Sequence, residues 1–306
     1  MRAPESGVVP VVPTAFHEDE SLDLAGTARV VDLLIDGQAD ALCVLANFSE
    51  QFSLTDEERD AVLHTVLDRA AGRVPVVVTA SHYSARIAAA RCREAQRAGA
   101  AMAMLMPPFF GATMAVPPAG VLDWFRTVSA AAPGLPLMVQ DAPLSPTRLP
   151  ADLIVRLAAE VPAVTHVKIE TPGAADTLRA LTEAAADRLP GRFDGEEAVT
   201  LLPDLDAGAT GTMCSATAPY ELAAVVRAHR SGDRPAAARA WEDLLPLLHF
   251  ENRQCGPRAQ KHLLAAAGVI GSPRTRAPLA PLHPATAAAL LELARARDLF
   301  ILNWAK

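Results

Sequence analysis

Lysine is nearly missing from this chain: of its 28 basic residues only Lys168, Lys261 and Lys306 are lysine, and the rest are arginine. Cysteine is sparse too. Cys43, Cys92, Cys214 and Cys255 lie far apart, with neither C-x-x-C spacing nor the density of a disulfide scaffold, and read as reduced thiols of a cytoplasmic protein. No apolar run spans a membrane without charges or breakers, and the opening MRAPESGVVPVVPTAF lacks a signal-peptide core. Positive charge is short as well: a formal net charge of -7 leaves no broad cationic surface, which argues against nucleic acid and anionic membrane as partners. There is no G-x-G-x-x-G after the first apolar run, no G-x-x-x-x-G-K-[ST] and no H-E-x-x-H, so neither a cofactor nor a metal is expected.

What the chain has is core-forming material in a repeating order. Hydrophobic residues make up 51% of the 306, enough for a large globular fold. Short β-branched apolar runs recur at VVPVV, ALCVLA, VPVVVTA, AMAMLM, LPLMVQ and VTHVKI, with weaker ones at GRFDG and ATGTMCS. Amphipathic stretches separate them, such as TDEERDAVLHTVLDRAAG with its Thr55/Glu58 capping box. Continuous apolar strands alternating with helices predict a parallel sheet covered on both faces, and eight alternations favour an α/β (β/α)8 TIM barrel over an open doubly wound sheet. The barrel is expected over residues 1–230 and a C-terminal helical appendage over 231–306.

In a chain that uses arginine for generic cations, the lysine in THVKIETPG looks chemically chosen. A guanidinium stays protonated, whereas a buried ammonium can lose its proton and attack a carbonyl. Strand alternation puts Val164, His166, Lys168 and Glu170 on one face, with Lys168 and Glu170 at the C-terminal end, where this fold places catalysis. The plainer readings are a packing pair of Lys168 with Glu170, a Glu170 that only orients the lysine, and a hydrogen-bonded core role for His166.

These residues, in order and spacing, resemble the dihydrodipicolinate synthase and N-acetylneuraminate lyase superfamily of Schiff-base (β/α)8 enzymes, almost end to end. GVVPVVPTAF is similar to its first strand, PPFF to Thr-Pro-Tyr-Tyr, QDAP to Tyr-Asn-Val-Pro, VKIE to the imine-lysine strand, GEEA to Gly-Asp-Asp-Ala, and KHLLAAAGVIGSPRTRAPLAPL to its C-terminal signature. Within it, Lys-x-Glu, Gln-Asp-x-Pro-Leu and LPLLHFENRQCG resemble the dehydratases of 2-keto-3-deoxy sugar acids, L-2-keto-3-deoxyarabonate dehydratase among them.

The resemblance implies Lys168 as the imine-forming lysine and Glu170 as acid and base. Ala46, Asn47, Phe48, Ser49 and Glu50 take the place of the family's Gly-Thr-Thr-Gly-Glu, which puts Asn47, Phe48 and Ser49 at the substrate carboxylate. Gln140 shapes the site near the imine, and Gly195 permits close backbone approach. It further implies a small 2-oxo acid as partner and a homotetramer or dimer. Both family tyrosines are replaced, by Gln140 and Phe110, which favours dehydration. A pyruvate-releasing aldolase and a catalytically inactive 2-oxo-acid-binding barrel are the alternatives.

Overall fold

The computed structural model describes residues 1–109 and 116–304; Phe110 lies outside the described residues. In chain order the elements are β1 (Gly7–Val8), α1 (Leu24–Asp36), β2 (Leu42–Val44), α2 (Asp56–Ala70), β3 (Val76–Thr79), α3 (Ala85–Ala98), β4 (Met102–Leu105), α4 (Pro118–Ala131), β5 (Leu137–Asp141) and α5 (Ala151–Glu160). They continue with β6 (Val164–Ile169), α6 (Ala174–Ala185), β7 (Gly191–Asp194), α7 (Leu201–Asp206), β8 (Gly211–Thr212), α8 (Pro219–Arg230), α9 (Arg234–Phe250), α10 (Arg258–Ala266), α11 (Pro284–Arg295) and α12 (Phe300–Asn303). Strand followed by helix occurs eight times, the (β/α)8 pattern. Helices alone follow α8.

The residues fall into two compact units. The first comprises Met1–Ser6, Pro75–Glu196 and Thr200–Thr212. Its strands β3 to β8 pair in parallel with their sequence neighbours, for example Val77 with Met102, Ala103 with Leu137, and Asp194 with Thr212. Met102, Met104, Leu105, Val139, Val167, Ile169 and Phe193 are all buried, because a parallel sheet covered on both faces leaves no polar side. Gly191 is required by its neighbour: a Cβ there would lie 2.0 Å from His166 Cδ2.

The second unit comprises Gly7–Val74, Glu197–Val199 and Met213–Lys306. The apolar run from Val8 forms only a short strand, since Pro10 and Pro13 lack the N–H a ladder needs. Its backbone still docks, Val11 N–H donating to Cys214 O at 2.8 Å and Val12 N–H to Cys43 O at 2.8 Å. The capping box on α2 forms in both directions: Glu58 N–H donates to Thr55 Oγ1 at 3.2 Å and Thr55 N–H to Glu58 Oε2 at 3.0 Å. The helix ends with Ala71 in the left-handed region, one residue before Gly72. No described helix is long and apolar enough to cross a membrane.

Candidate active site

The register of β5, β6 and β7 sets Gln140, Lys168 and Phe193 side by side, so their side chains leave the same face of the sheet. Lys168 and Gln140 are buried, and Glu170, one residue past the end of β6, is mostly covered. One oxygen collects the cluster. Glu170 Oε1 lies 2.8 Å from Lys168 Nζ and accepts from Gln140 Nε2 at 2.6 Å. With its amide nitrogen donating to Glu170, Gln140 presents a buried Oε1 that meets no donor among the described residues. An unmatched buried acceptor costs about 1–3 kcal/mol, which a bound hydroxyl would recover.

Gly195 makes room for this pair. A Cβ on it would lie 2.3 Å from Glu170 Cγ and 2.8 Å from Lys168 Cε, so both side chains lie along bare backbone. Asp141, the last residue of β5, steadies the segment by accepting from Thr171 Oγ1 at 2.6 Å, while its carbonyl accepts from Glu170 N–H at 2.9 Å. Burial raises its carboxyl above the ordinary range despite the Thr171 bond. His166 lies deeper on β6, where burial pulls its imidazole down to about 4 and keeps it neutral, the state of a core histidine.

Asn47, Phe48 and Ser49 form a single 3-10 turn in the other unit. The Ser49 hydroxyl is spent on the backbone, donating to Val12 O at 2.7 Å and accepting from Ala46 N–H at 3.1 Å. Asn47 Oδ1 accepts from Gln51 Nε2 at 2.7 Å, and the Phe48 carbonyl accepts from Gln260 Nε2 at 2.7 Å. Glu50 closes the turn in the left-handed region, and its buried carboxylate pairs with Lys261 and accepts from Arg276 N–H at 2.9 Å. Lys261 is thus a structural lysine, stacked 4.2 Å over the Phe16 ring and lowered to about 8, chiefly by burial. Sequence reasoning passed over it, although scarcity of lysine singles it out as clearly as Lys168. In the same unit Glu251, in the π turn after α9, is wholly buried, accepts from Thr217 Oγ1 at 2.7 Å, and is pushed up to about 7 by burial.

Comparison with known proteins decides the family: the Dihydrodipicolinate synthetase family matches residues 4–296. The chain belongs to this family. It is 49% identical over 299 residues to L-2-keto-3-deoxyarabonate dehydratase of Azospirillum brasilense, covering 98% of this chain and 96% of that one. It is 31% identical to 4-hydroxy-tetrahydrodipicolinate synthase of Acidothermus cellulolyticus, over 90% and 87% of the two chains. Among solved structures, YagE of E. coli K12, a family member in complex with pyruvate, superposes with a TM-score of 0.88 at 26% identity, covering 97% of this chain and 100% of that one. Dihydrodipicolinate synthase from Rhodopseudomonas palustris gives 0.89 at 23%, over 96% and 99%. The fold of this family member is therefore the (β/α)8 barrel with added C-terminal helices.

Proposed function

We propose that the protein is a Schiff-base lyase that dehydrates a 2-keto-3-deoxy sugar acid, with L-2-keto-3-deoxyarabonate as the substrate to test first. The observation that carries this reading is the single Glu170 oxygen shared by Lys168 Nζ and Gln140 Nε2, in a chain 49% identical to a dehydratase of that acid. A carboxylate against the amine can move a proton on the carbon next to the imine.

The Lys168 amine adds to the C2 carbonyl and water leaves, giving an iminium that acidifies the C3 hydrogens. Glu170 removes one C3 proton, and the electron pair forms an enamine. That proton then goes to the C4 hydroxyl, which departs as water and leaves a conjugated iminium. For the arabonate-derived acid, loss of a C5 proton and return of a proton to C3 give an enol between C4 and C5, and loss of the enol O–H proton with addition of a proton at C4 makes C5 an aldehyde. Hydrolysis of the imine frees 2-oxoglutarate semialdehyde and Lys168.

Gln140 Oε1, fixed by the grip of Glu170 on the amide nitrogen, is assigned to a substrate hydroxyl. The Asn47–Ser49 turn is assigned to the carboxylate, through the Asn47 amide and backbone N–H groups, since the Ser49 hydroxyl is already bonded. Retro-aldol cleavage needs a base on the C4 hydroxyl, and Gln140 is no base. Product analysis after incubation with L-2-keto-3-deoxyarabonate tests the reading: the semialdehyde supports it, and pyruvate as the product would replace it with an aldolase. Assembly as a homo-oligomer and a cytoplasmic location belong to the same proposal.

A further inference from the structure

Behind the candidate site the first unit holds two wholly buried carboxyl groups that the reaction above does not use. Asp194 ends β7 and Asp204 lies on α7, and both have no exposure to solvent. Each has one oxygen satisfied by a threonine hydroxyl: Thr212 Oγ1 donates to Asp194 Oδ2 at 2.5 Å, and Thr200 Oγ1 to Asp204 Oδ2 at 2.7 Å. The other oxygen of each, Oδ1, meets no hydroxyl or N–H donor. The two carboxyls lie close enough for each to act on the other. Two ionised carboxylates are acceptors only and repel one another when buried together, so one of the two holds a proton.

The pair sits directly behind Lys168. Register pairs Lys168 with Phe193 and Ile169 with Asp194, so Lys168 and Asp194 leave opposite faces of adjoining strands. Lys168 also runs along Gly195, the residue after Asp194, close enough that a Cβ there would lie 3.0 Å from its Cγ. The charge of Lys168 reaches Asp194 and favours its ionised form. The groups around the pair are Lys168 from β6, Thr212 from β8, and Thr200 at the start of α7. Those around Lys168 include, among the described residues, Glu170, with Asp141 beyond it, and Asp194.

We infer that Asp194 and Asp204 hold one proton between them and keep a single buried negative charge behind Lys168, acting as positioning residues that govern how readily this lysine forms its imine. Burial and the neighbouring Asp204 raise Asp194 well above the ordinary carboxylate range, and burial raises Asp204 as well, so the pair ionises once and the two carboxyls share the one charge. Solvent does not screen a charge this deep, and it favours both the Lys168 ammonium and the cationic iminium.

The inference rests on the imine reading and is tested by the pH dependence of adduct trapping with pyruvate and borohydride. D194N leaves the charge on the more distant Asp204, so the midpoint for trapping falls. D204N forces the charge onto Asp194, nearer the lysine, so the midpoint rises. A charge displaced by a few ångströms moves each midpoint by about half a pH unit, in opposite directions. If D194N does not fold, T212V replaces it, because loss of that hydroxyl also drives the charge to Asp204. Midpoints that stay put, or that move the same way, overturn the inference while leaving the imine intact. Absence of any wild-type adduct overturns the imine reading and this inference with it.

Discussion

Gly195→Ala is a one-atom test of how the Lys168–Glu170 pair is held. The new Cβ would lie 2.3 Å from Glu170 Cγ, 2.8 Å from Lys168 Cε and 3.0 Å from Lys168 Cγ, where ordinary carbon contacts begin near 3.5 Å. Glu170 must therefore retreat by about 1 Å and Lys168 by somewhat less. Gly195 does not occupy the left-handed region, so alanine adds no backbone strain and the effect is steric alone. Overpacking of this size costs about 1–3 kcal/mol of stability. A misplacement of about 1 Å at reacting groups costs about 100-fold in rate. Steady-state dehydration of L-2-keto-3-deoxyarabonate, followed beside thermal unfolding, separates the two. The expected variant is folded, with kcat reduced about 100-fold. A folded variant with wild-type kcat would refute the placement of Lys168 and Glu170 against Gly195.

Two further outcomes concern the frame around the site. Glu50→Gln strips Lys261 of its carboxylate in a wholly buried setting, and denaturant unfolding should register a loss of about 3–5 kcal/mol; an unchanged midpoint would mean the pair does not hold the turn. His166 is neutral in the fold, with its pKa lowered to about 4, chiefly by burial. The unfolded chain takes up that proton as pH drops below about 6.5, so its contribution is complete above that value and is lost toward about 4, amounting to about 3 kcal/mol. Unfolding midpoints of His166→Asn should fall less steeply with acid than those of the wild type, and parallel curves would contradict this.

Much of the fold was legible because burial on both faces leaves an unmistakable mark: apolar runs such as AMAMLM and LPLMVQ became β4 and β5. Strand lengths were less legible. VVPVV reads as five strand residues, but two prolines cut the ladder to Gly7–Val8. Lys168 stood out as an amine in an arginine-rich chain, and the alternation that brings Glu170 toward it follows from a period of two. The Asp194–Asp204 pair did not stand out, since it joins the end of a weak strand to a short helix through contacts that no local pattern encodes. Ser49 shows the same limit: its type fits a ligand-binding hydroxyl, but its partners Val12 and Ala46 are visible only once the chain is folded.

The central claim is that Lys168 forms an imine with a 2-oxo acid. With three lysines in the chain, peptide mapping after borohydride reduction in the presence of pyruvate reads it directly. The account predicts a reduced adduct on the peptide carrying Lys168, absent from Lys168→Arg. An adduct on Lys261 or Lys306 instead, or none at all while the protein still dehydrates its substrate, would contradict it.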